Sequence, residues 1–359
     1  MKIIKAGVWF FALISTAACG GEQPPPVALP APSAEPPPAP VAVAPPPAPV
    51  PPPPPPLKLQ VMTGSPEGFL VNSTLVSGQK DAILIDAQFT LADGKKVADA
   101  IKASGKTLTT VYVTHWHPDH YFGFPALKEA FPNAKLVALP ATVAEIQKTW
   151  EGKVKQWKPL YKDAITATPV VPEPLSGTSL ELEGEKFDVV GGVQGDDSQN
   201  SYVWIPSLHA VVVGDIAYSD VFPWTAETNA DQRKVWLTSL DKVAALSPAI
   251  VVPGHQKPEK KPDPGTLMFT KDYLVAYDQA LAASKKPTEL QAKMKAKYPD
   301  AALDIILKIG SEASFKAPEK PAAKEKAPAA PAKAKAVTSA PSAAPSAAAA
   351  TPAKPAAKK

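Results

Sequence analysis

The chain has 359 residues, 45 prolines, a single cysteine and a formal net charge of +4. One cysteine excludes an intramolecular disulfide and any site built from several thiolates. The charge is uneven: residues 316–359 carry nine lysines against two glutamates, a net of +7, and residues 1–56 balance, so residues 57–315 carry −3. A negative middle argues against a nucleic-acid partner, whose phosphates favour a basic groove.

Residues 1–19 have the composition of an export signal: early lysines, an apolar run too short for a mature transmembrane helix, and small residues before Cys19. The sequence TAAC at residues 16–19 resembles a bacterial lipobox, except that Thr16 stands where leucine is more usual. The resemblance implies a lipid on Cys19 and a membrane-anchored lipoprotein in the bacterial envelope, facing the periplasm. An ordinary signal peptide that contains a cysteine is the alternative.

Two further segments lack the composition of a packed core. Residues 20–56 are rich in proline, which favours extended polyproline II, so we expect a disordered linker that tethers the next domain, with a proline-binding partner as the second possibility. Residues 316–359 are lysine, alanine and proline and are expected to be a disordered tail. The tail could contact anionic envelope polymers or lipid, or it could simply promote solubility.

Residues 57–315 alternate strand and helix patterns and are long enough for one substantial domain. LKLQVMTG, GFLVNSTLVSG and DAILIDAQF predict strands, and Thr90 caps a helix that Gly105 ends. Further strands are predicted at TLTTVYVTH, AKLVALP, SLELEGEKFDVVGG, NSYVWIP, LHAVVVGD and AIVVPGH, with helices at PDHYFGFPALKEAF, ATVAEIQKTWEG and DQRKVWLTSLDKVAALSP. This order indicates an α/β domain with helices outside two sheets, although periodicity alone does not identify the arrangement.

The stretch THWHPDHYFG contains three of the chain's five histidines. Because side chains alternate along a strand, His115 and His117 should point to the same side and converge on one ion. Pro118 suits the first position of a helix, so the chain turns there and can aim Asp119 and His120 at a second ion. The alternative, a loop of surface polar residues, does not account for three histidines in six residues.

These residues resemble the HxHxDH signature of the metallo-β-lactamase fold superfamily. The resemblance covers nearly all of residues 57–315 and implies an αββα four-layer sandwich of two mixed β-sheets flanked by helices. It also implies that Asp86 supports the metal loop, that Asp215 in VVVGD bridges two metals, and that His255 in VVPGH is the last ligand. His209 matches nothing in the pattern and is expected to be a solvated turn residue.

One position departs from the family pattern. Where the family usually has a histidine, ten residues before the proline that ends a strand, this chain has Asp196 before Pro206. Asp196 could complete a site with His115 and His117 that is more anionic and better suited to manganese or iron, or this site could have decayed and left only the second. Asp197 could substitute for it, but its side chain should point the opposite way if the turn is extended.

The resemblance implies seven metal ligands, and they are His115, His117, Asp119, His120, Asp196, Asp215 and His255. They would hold two divalent ions, most simply zinc, with manganese or iron possible, and Asp119 would orient water or move its proton. No rival nucleophile motif is present, so a metal-dependent hydrolase of a small ester, lactone, β-lactam or related acyl compound is the first hypothesis. An iron-dependent redox enzyme and a non-catalytic metal-binding module are the alternatives.

The sequence does not identify a substrate. Trp157, Phe222 and Trp224 could form an apolar wall beside the metals, since loops after strand ends border the cleft in this fold. They could equally be packing residues under long loops.

Overall fold

The computed structural model describes residues 56–316. The predicted signal, the predicted lipid site at Cys19, nearly all of the linker and the basic tail lie outside the described residues. Among the described residues, no helix has both the length and the apolar character needed to cross a bilayer.

Eleven strands form two sheets in the described chain. The first sheet is β1 (Lys58–Thr63), β2 (Asn72–Ser77), β3 (Asp81–Ile85), β4 (Thr107–Val113), β5 (Lys135–Ala138) and β6 (Glu173–Pro174), in that spatial order. The second, in the order β11-β10-β9-β8-β7, contains β7 (Ser179–Leu182), β8 (Glu185–Val193), β9 (Asn200–Ile205), β10 (Ala210–Ser219) and β11 (Ile250–Gln256). Both sheets are mixed: β3 to β6 pair in parallel, as do β10 and β11, and the other pairs are antiparallel.

Seven helices flank these sheets in the described residues. They are α1 (Leu91–Ala103), α2 (Phe124–Ala130), α3 (Pro140–Tyr161), α4 (Ala230–Ala244), α5 (Gly265–Ala282), α6 (Pro287–Lys297) and α7 (Asp304–Ser314).

The alternation of apolar side chains along the central strands produces the layers. In β3, Ile83 and Ile85 pack between the two sheets with Phe187 and Val203, whereas Leu84 faces the cluster that includes α1 and α2 residues. Strand β10 behaves likewise, because Val212 faces the other sheet while Val211 and Val213 pack toward Trp236 of α4 and Leu274 of α5. The predicted αββα sandwich is confirmed.

The structure differs from the sequence prediction in two places that bear on the site. The helix predicted to begin at Pro118 is a single 3₁₀ turn, Pro118–His120, and α2 begins only at Phe124. The backbone of this loop bonds across to the end of β3 instead, since Ala87 N donates to His120 O and Gly123 N donates to Gln88 O. In addition, helices α5 to α7 follow the last predicted element, and the start of α7 contributes Leu303 and Ile306 to the cleft described below.

Candidate metal centre

The loop after β4 is held by Asp86, which lies just beyond β3. Its carboxylate accepts hydrogen bonds from Thr114 N at 2.9 Å and from the Thr114 hydroxyl, and its Oδ2 is 2.8 Å from His120 Nδ1. Asp86 has a φ of 60°, a conformation that is uncommon for a residue other than glycine. Strained backbone of this kind is concentrated at functional sites, where the surrounding contacts hold it in place.

One group of donor atoms comes from the start of this loop and from the turn before β9. His115 Nε2 lies 3.1 Å from His117 Nδ1, and His117 Nδ1 lies 2.8 Å from Asp196 Oδ2. The remaining edge, from His115 Nε2 to Asp196 Oδ2, is 4.0 Å. Zinc bonds of about 2.0–2.2 Å in tetrahedral geometry place donor atoms about 3.3 Å apart, so one ion could contact all three.

The second group joins the end of the loop to the ends of β10 and β11. Asp215 lies between His120 and His255, with Oδ1 3.2 Å from His120 Nε2 and Oδ2 3.2 Å from His255 Nε2. Asp119 Oδ2 is 3.4 Å from His255 Nε2 and 3.8 Å from His120 Nε2. Because Asp215 Oδ2 is also 3.7 Å from His115 Nε2, this carboxylate connects the two groups.

The other ring nitrogen of each histidine has a fixed partner. His115 Nδ1 is 3.1 Å from the Thr114 hydroxyl, and His255 Nδ1 is 2.6 Å from the backbone oxygen of Phe69. His117 Nε2 is 2.9 Å from Glu227 Oε2, and His120 Nδ1 contacts Asp86 as described above. A carboxylate or carbonyl on the second nitrogen sets the tautomer and orientation of a metal-binding imidazole. All four rings are therefore turned with one nitrogen toward the common centre.

Several atoms at this centre remain without a hydrogen bond, which tests whether an ion fits. Within the described residues, His120 Nε2, Asp196 Oδ2 and Asp215 Oδ1 are buried and make no hydrogen bond, despite their short distances to neighbouring donor atoms. Buried polar atoms are almost always paired, and an unpaired one is costly. Short contacts without hydrogen-bond geometry fit atoms directed at a shared cation, so the residues present fit a metal.

The turn before β9 corrects one expectation from the sequence. Asp197 does not point away: the turn is not extended, since Gly195 N donates to Asp197 O at 2.9 Å, and its carboxylate lies in the same buried group as Asp196. Both Asp197 oxygens are nevertheless in use, because Oδ1 accepts from Gln199 N at 2.5 Å and Oδ2 from Asn200 Nδ2 at 3.0 Å. Asn200 also donates to Asp196 Oδ1 at 2.8 Å, which leaves Asp196 Oδ2 directed at the histidines.

The buried charges shift the pKa values of these groups in opposite directions. Burial opposes ionisation of Asp215, but the neighbouring His255, His120 and His115 hold its pKa well below the usual value. Burial raises the pKa of Asp196 to about 7. Burial also works against protonation of His117, but the charges of Asp196 and Glu227 outweigh it and hold its pKa well above the usual value. A proton held by this pair must leave when a cation binds, so cation affinity here depends on pH.

A family model, the metallo-beta-lactamase superfamily, matches residues 66–255, which is more than half of the chain and includes every residue of the two donor groups. The chain belongs to the metallo-beta-lactamase superfamily. Membership supports an enzyme with a metal-dependent, hydrolase-type function, and the donor groups agree with it.

Similar chains occur among solved structures and curated proteins. A metallo-beta-lactamase family protein from Thermus thermophilus gives a TM-score of 0.53 at 19% identity, over 72% of this chain and 91% of that one. A metallo-beta-lactamase from Pontibacter korlensis gives 0.47 at 18% identity, over 61% and 94%. At these identities the likeness concerns the fold alone. The uncharacterized protein YobT of Bacillus subtilis (strain 168) is 34% identical over 76 residues, which is 21% of this chain and 32% of YobT.

A cleft with about 510 Å³ of empty space, part of it open to solvent, lies over the two donor groups of this superfamily member. Its polar side is formed by residues at the metal centre, including His117, Asp119 and Tyr218, whose hydroxyl donates to Asp215 Oδ2 at 2.7 Å. The apolar side consists of Phe69, Trp157, Phe222, Trp224, Leu303 and Ile306. The three aromatic residues singled out in the sequence thus line the cleft, and they also pack: Trp157 lies edge-on to Phe69 at 5.4 Å.

Sequence reasoning missed several residues of this centre. Glu227 and Lys153 form an ion pair of 3.2 Å, and the Lys153 ammonium lies 4.4 Å from the centre of the Trp116 ring. Burial favours the neutral form of Glu227, but the charge of His117 outweighs it, with help from Lys153, and holds its pKa at about 2. Neither residue stands in a recognisable motif. His209 is exposed in a turn, as expected.

Proposed function

We propose that this protein is a hydrolase that uses water activated by two divalent metal ions to cleave a small ester, lactone, β-lactam or related acyl compound. The observation that carries the proposal is the pair of buried donor groups bridged by Asp215, whose unpaired atoms face one another beneath an open cleft. The proposed ligands are His115, His117 and Asp196 for one ion, and Asp119, His120 and His255 for the other, with Asp215 shared.

Two ions bound there would supply a water nucleophile at neutral pH and polarise the substrate carbonyl. Asp119 is the residue proposed to handle protons. Its Oδ2 faces His120 and His255, and its side chain, 15% exposed, lines the cleft. Asp119 Oδ1 can accept the proton that water loses as its oxygen bonds to the acyl carbon, and can return it to the leaving oxygen or nitrogen when the acyl bond breaks.

Residues around the proposed ligands orient their side chains and shape the cleft. The Tyr218 hydroxyl and the stacked Tyr218 and His255 rings, 5.4 Å apart, fix the shared carboxylate and the last histidine relative to each other. The apolar wall excludes water from one side of the cleft, which favours a small substrate with an apolar part. A macromolecular polyanion is disfavoured by the negative charge of residues 57–315.

The carboxylate of Asp196 supports a second candidate, an iron-dependent redox enzyme. Carboxylate oxygen is a harder ligand than imidazole and shifts preference toward manganese or iron. The identity of the bound metal distinguishes the two candidates.

The test uses the full chain, purified without added metal and then titrated with zinc, manganese or iron(II). We expect two metal ions per chain and turnover in a screen of esters, lactones and β-lactams, with His120→Ala and His255→Ala losing both metal and turnover. Two ions without turnover of any acyl compound, combined with oxygen consumption in the iron form, would support the redox candidate. Metal binding with neither activity would indicate a non-catalytic module.

A further inference from the structure

The segment that leads into the first turn of α7, residues 302–306, forms part of the cleft although it lies beyond the region matched by the family. It is attached to the loop after β10 by two backbone hydrogen bonds of 2.9 Å, from Ala302 N to Asp220 O and from Phe222 N to Ala302 O. Ala302 and Val221 form an isolated parallel bridge. The segment is therefore fixed to the same loop that carries Trp224 and Glu227.

Leu303 has an unusual backbone conformation within this segment. Its φ and ψ are 67° and 49°, the left-handed region that a leucine seldom adopts. Asp220, its neighbour across the bridge, also has a positive φ, of 55°. Such conformations persist only where surrounding structure holds them, and they are concentrated at binding and catalytic sites. In this conformation Leu303 lines the cleft and packs against two of the core clusters.

Ile306 follows one helical turn later and faces the same cleft. It is 7% exposed and belongs to the cluster that contains Phe69 and Phe89. By contrast Ile305, between the two in sequence, is 47% exposed and does not line the cleft. Two aliphatic side chains thus face aromatic ones, Phe69, Trp157 and Trp224, across a space beside the metal centre.

The charges of the cleft are confined to its metal side. Lys153, which also lines it, is 14% exposed and is paired with Glu227. The apolar side therefore presents no charged group to a bound molecule, and apart from Gln156 and the unpaired Trp224 Nε1 its lining favours an apolar one.

We propose that residues 302–306 form the wall of an acyl pocket, in which Leu303 and Ile306 set the length of an unbranched aliphatic acyl group whose carbonyl lies at the metal centre. This inference rests on the proposed function for the carbonyl's place, but the pocket itself can be tested by binding alone. Each methylene that enters an apolar pocket strengthens binding about fourfold, from about 0.8 kcal/mol per CH₂. The gain should stop at the chain length that meets this wall.

The experiment measures calorimetric binding of butyrate, hexanoate, octanoate and decanoate to the zinc-loaded full chain, and hydrolysis of the matching nitrophenyl esters. Leu303→Gly removes the side chain and suits the left-handed conformation, so the backbone does not oppose it. We expect the acyl length at which binding stops improving to increase by at least one step of the series in Leu303→Gly. In Ile306→Phe the same length should decrease. Ile305→Ala is the matched control and should keep the wild-type profile.

An unchanged length profile in both Leu303→Gly and Ile306→Phe would overturn the proposal. An equal shift in Ile305→Ala would also overturn it, because the effect would then arise from general loosening of the segment. If none of the nitrophenyl esters is hydrolysed, the proposed ester hydrolysis is wrong. Calorimetric binding of the carboxylates still tests whether Leu303 and Ile306 limit the acyl length. Should Leu303→Gly fail to fold, as judged by its melting curve, Ile306→Phe alone decides the result.

Discussion

At the scale of single residues, Asp196 is where this chain departs most from the pattern of its superfamily. Its carboxylate has one oxygen held by Asn200 and the other unpaired beside His117. Asp197, next to it, has both oxygens occupied by hydrogen bonds. The two neighbouring carboxylates therefore differ in one respect: only Asp196 has an oxygen that makes no hydrogen bond and lies 2.8 Å from His117 Nδ1.

Asp196→Ala should lower the metal content from two ions per chain to one, because only His115 and His117 remain at that position. Asp196→His should retain two ions and bind zinc at least as well, since imidazole suits that metal. Metal analysis after dialysis measures both, with Asp197→Asn as the control that keeps two ions. A two-ion count in Asp196→Ala would remove this residue from the ligands.

Glu227→Ala should lower the affinity for a metal ion at His117 by about 10- to 100-fold. This is the usual effect of removing the hydrogen-bond partner of a metal-binding histidine. Lys153→Met should have a smaller effect in the same direction, because Glu227 keeps its contact with His117 but loses its ion pair. Cobalt titration followed by absorption gives both affinities. Glu145→Ala, a carboxylate in the neighbouring groove that contacts no histidine, is the control. Equal affinities in Glu227→Ala and wild type would contradict the role assigned to Glu227.

At the scale of elements, the centre depends on how closely β10 and β11 approach each other. A Cβ added to Gly254 would lie 1.9 Å from Asp215 Oδ1 and 2.8 Å from the carbonyl carbon of Gly214. No side chain can be accommodated there unless Asp215 moves. The position of the Asp215 carboxylate therefore requires glycine at residue 254.

Gly254→Ala should displace Asp215 and lower both metal content and melting temperature. Gly152→Ala is the matched control, since Gly152 lies in α3 with nothing within 4 Å of an added Cβ, and alanine favours a helix by about 1 kcal/mol. That variant should melt at a slightly higher temperature and keep its metal. Normal metal binding by Gly254→Ala would show that the two strands can separate at no cost to the site.

Two turns, one from each sheet, are joined through the side chain of Glu183. This carboxylate, between β7 and β8, accepts backbone hydrogen bonds from Gln79, Lys80 and Asp81 at 2.6–2.7 Å. Those bonds lower the pKa of Glu183 from its usual value. A lowered pKa in the folded state means that the carboxylate stabilises the fold above its unfolded pKa, and that this contribution is lost as the pH falls through the folded value.

Glu183→Ala should therefore lower the melting temperature at neutral pH, and the difference from wild type should shrink as the pH falls through the lowered pKa of this carboxylate. Thermal unfolding at several pH values measures it, with the exposed Glu181→Ala on β7 as the control. A difference that stays constant down to acid pH would mean that the ionised carboxylate is not what joins the two turns.

At the scale of the whole molecule, we propose that the enzyme domain is tethered in the bacterial envelope by a lipid on Cys19 and the proline-rich linker, with the basic tail in contact with anionic polymers. Support comes from the sequence of those segments, and nearly all of their residues lie outside the described part of the chain. A tether of this kind would confine the domain to substrates that reach the envelope.

Cys19→Ala should release the protein from the membrane fraction while its melting curve and metal content stay unchanged, because the substitution removes the residue that carries the lipid and leaves residues 57–315 as they are. Fractionation of cells that produce each form measures the result, and deletion of residues 317–359 from the wild type is the control that should remain membrane-bound. Membrane retention of Cys19→Ala would contradict the lipid anchor.

The sequence by itself indicated an α/β domain with helices outside two sheets, and it placed three candidate metal-binding histidines close together. The nearly continuous apolar runs of β3 and β10 indicate strands buried on both faces, and the short spacing of His115, His117 and His120 places them on one loop. These are local properties, carried by neighbours in the chain. The family resemblance extended them to Asp215 and His255 at two strand ends.

Only the tertiary structure decided what surrounds those side chains. Glu227 reaches His117 across 110 residues of sequence, and the Phe69 carbonyl reaches His255 across 186. The hydrogen bonds that occupy both Asp197 oxygens and leave Asp196 Oδ2 unpaired lie within a turn whose shape no periodicity predicts. Leu303 entered the cleft because a backbone bridge fixes its segment to the loop after β10. Contacts between distant segments have no local pattern, since they depend on where the packed layers bring the chain together.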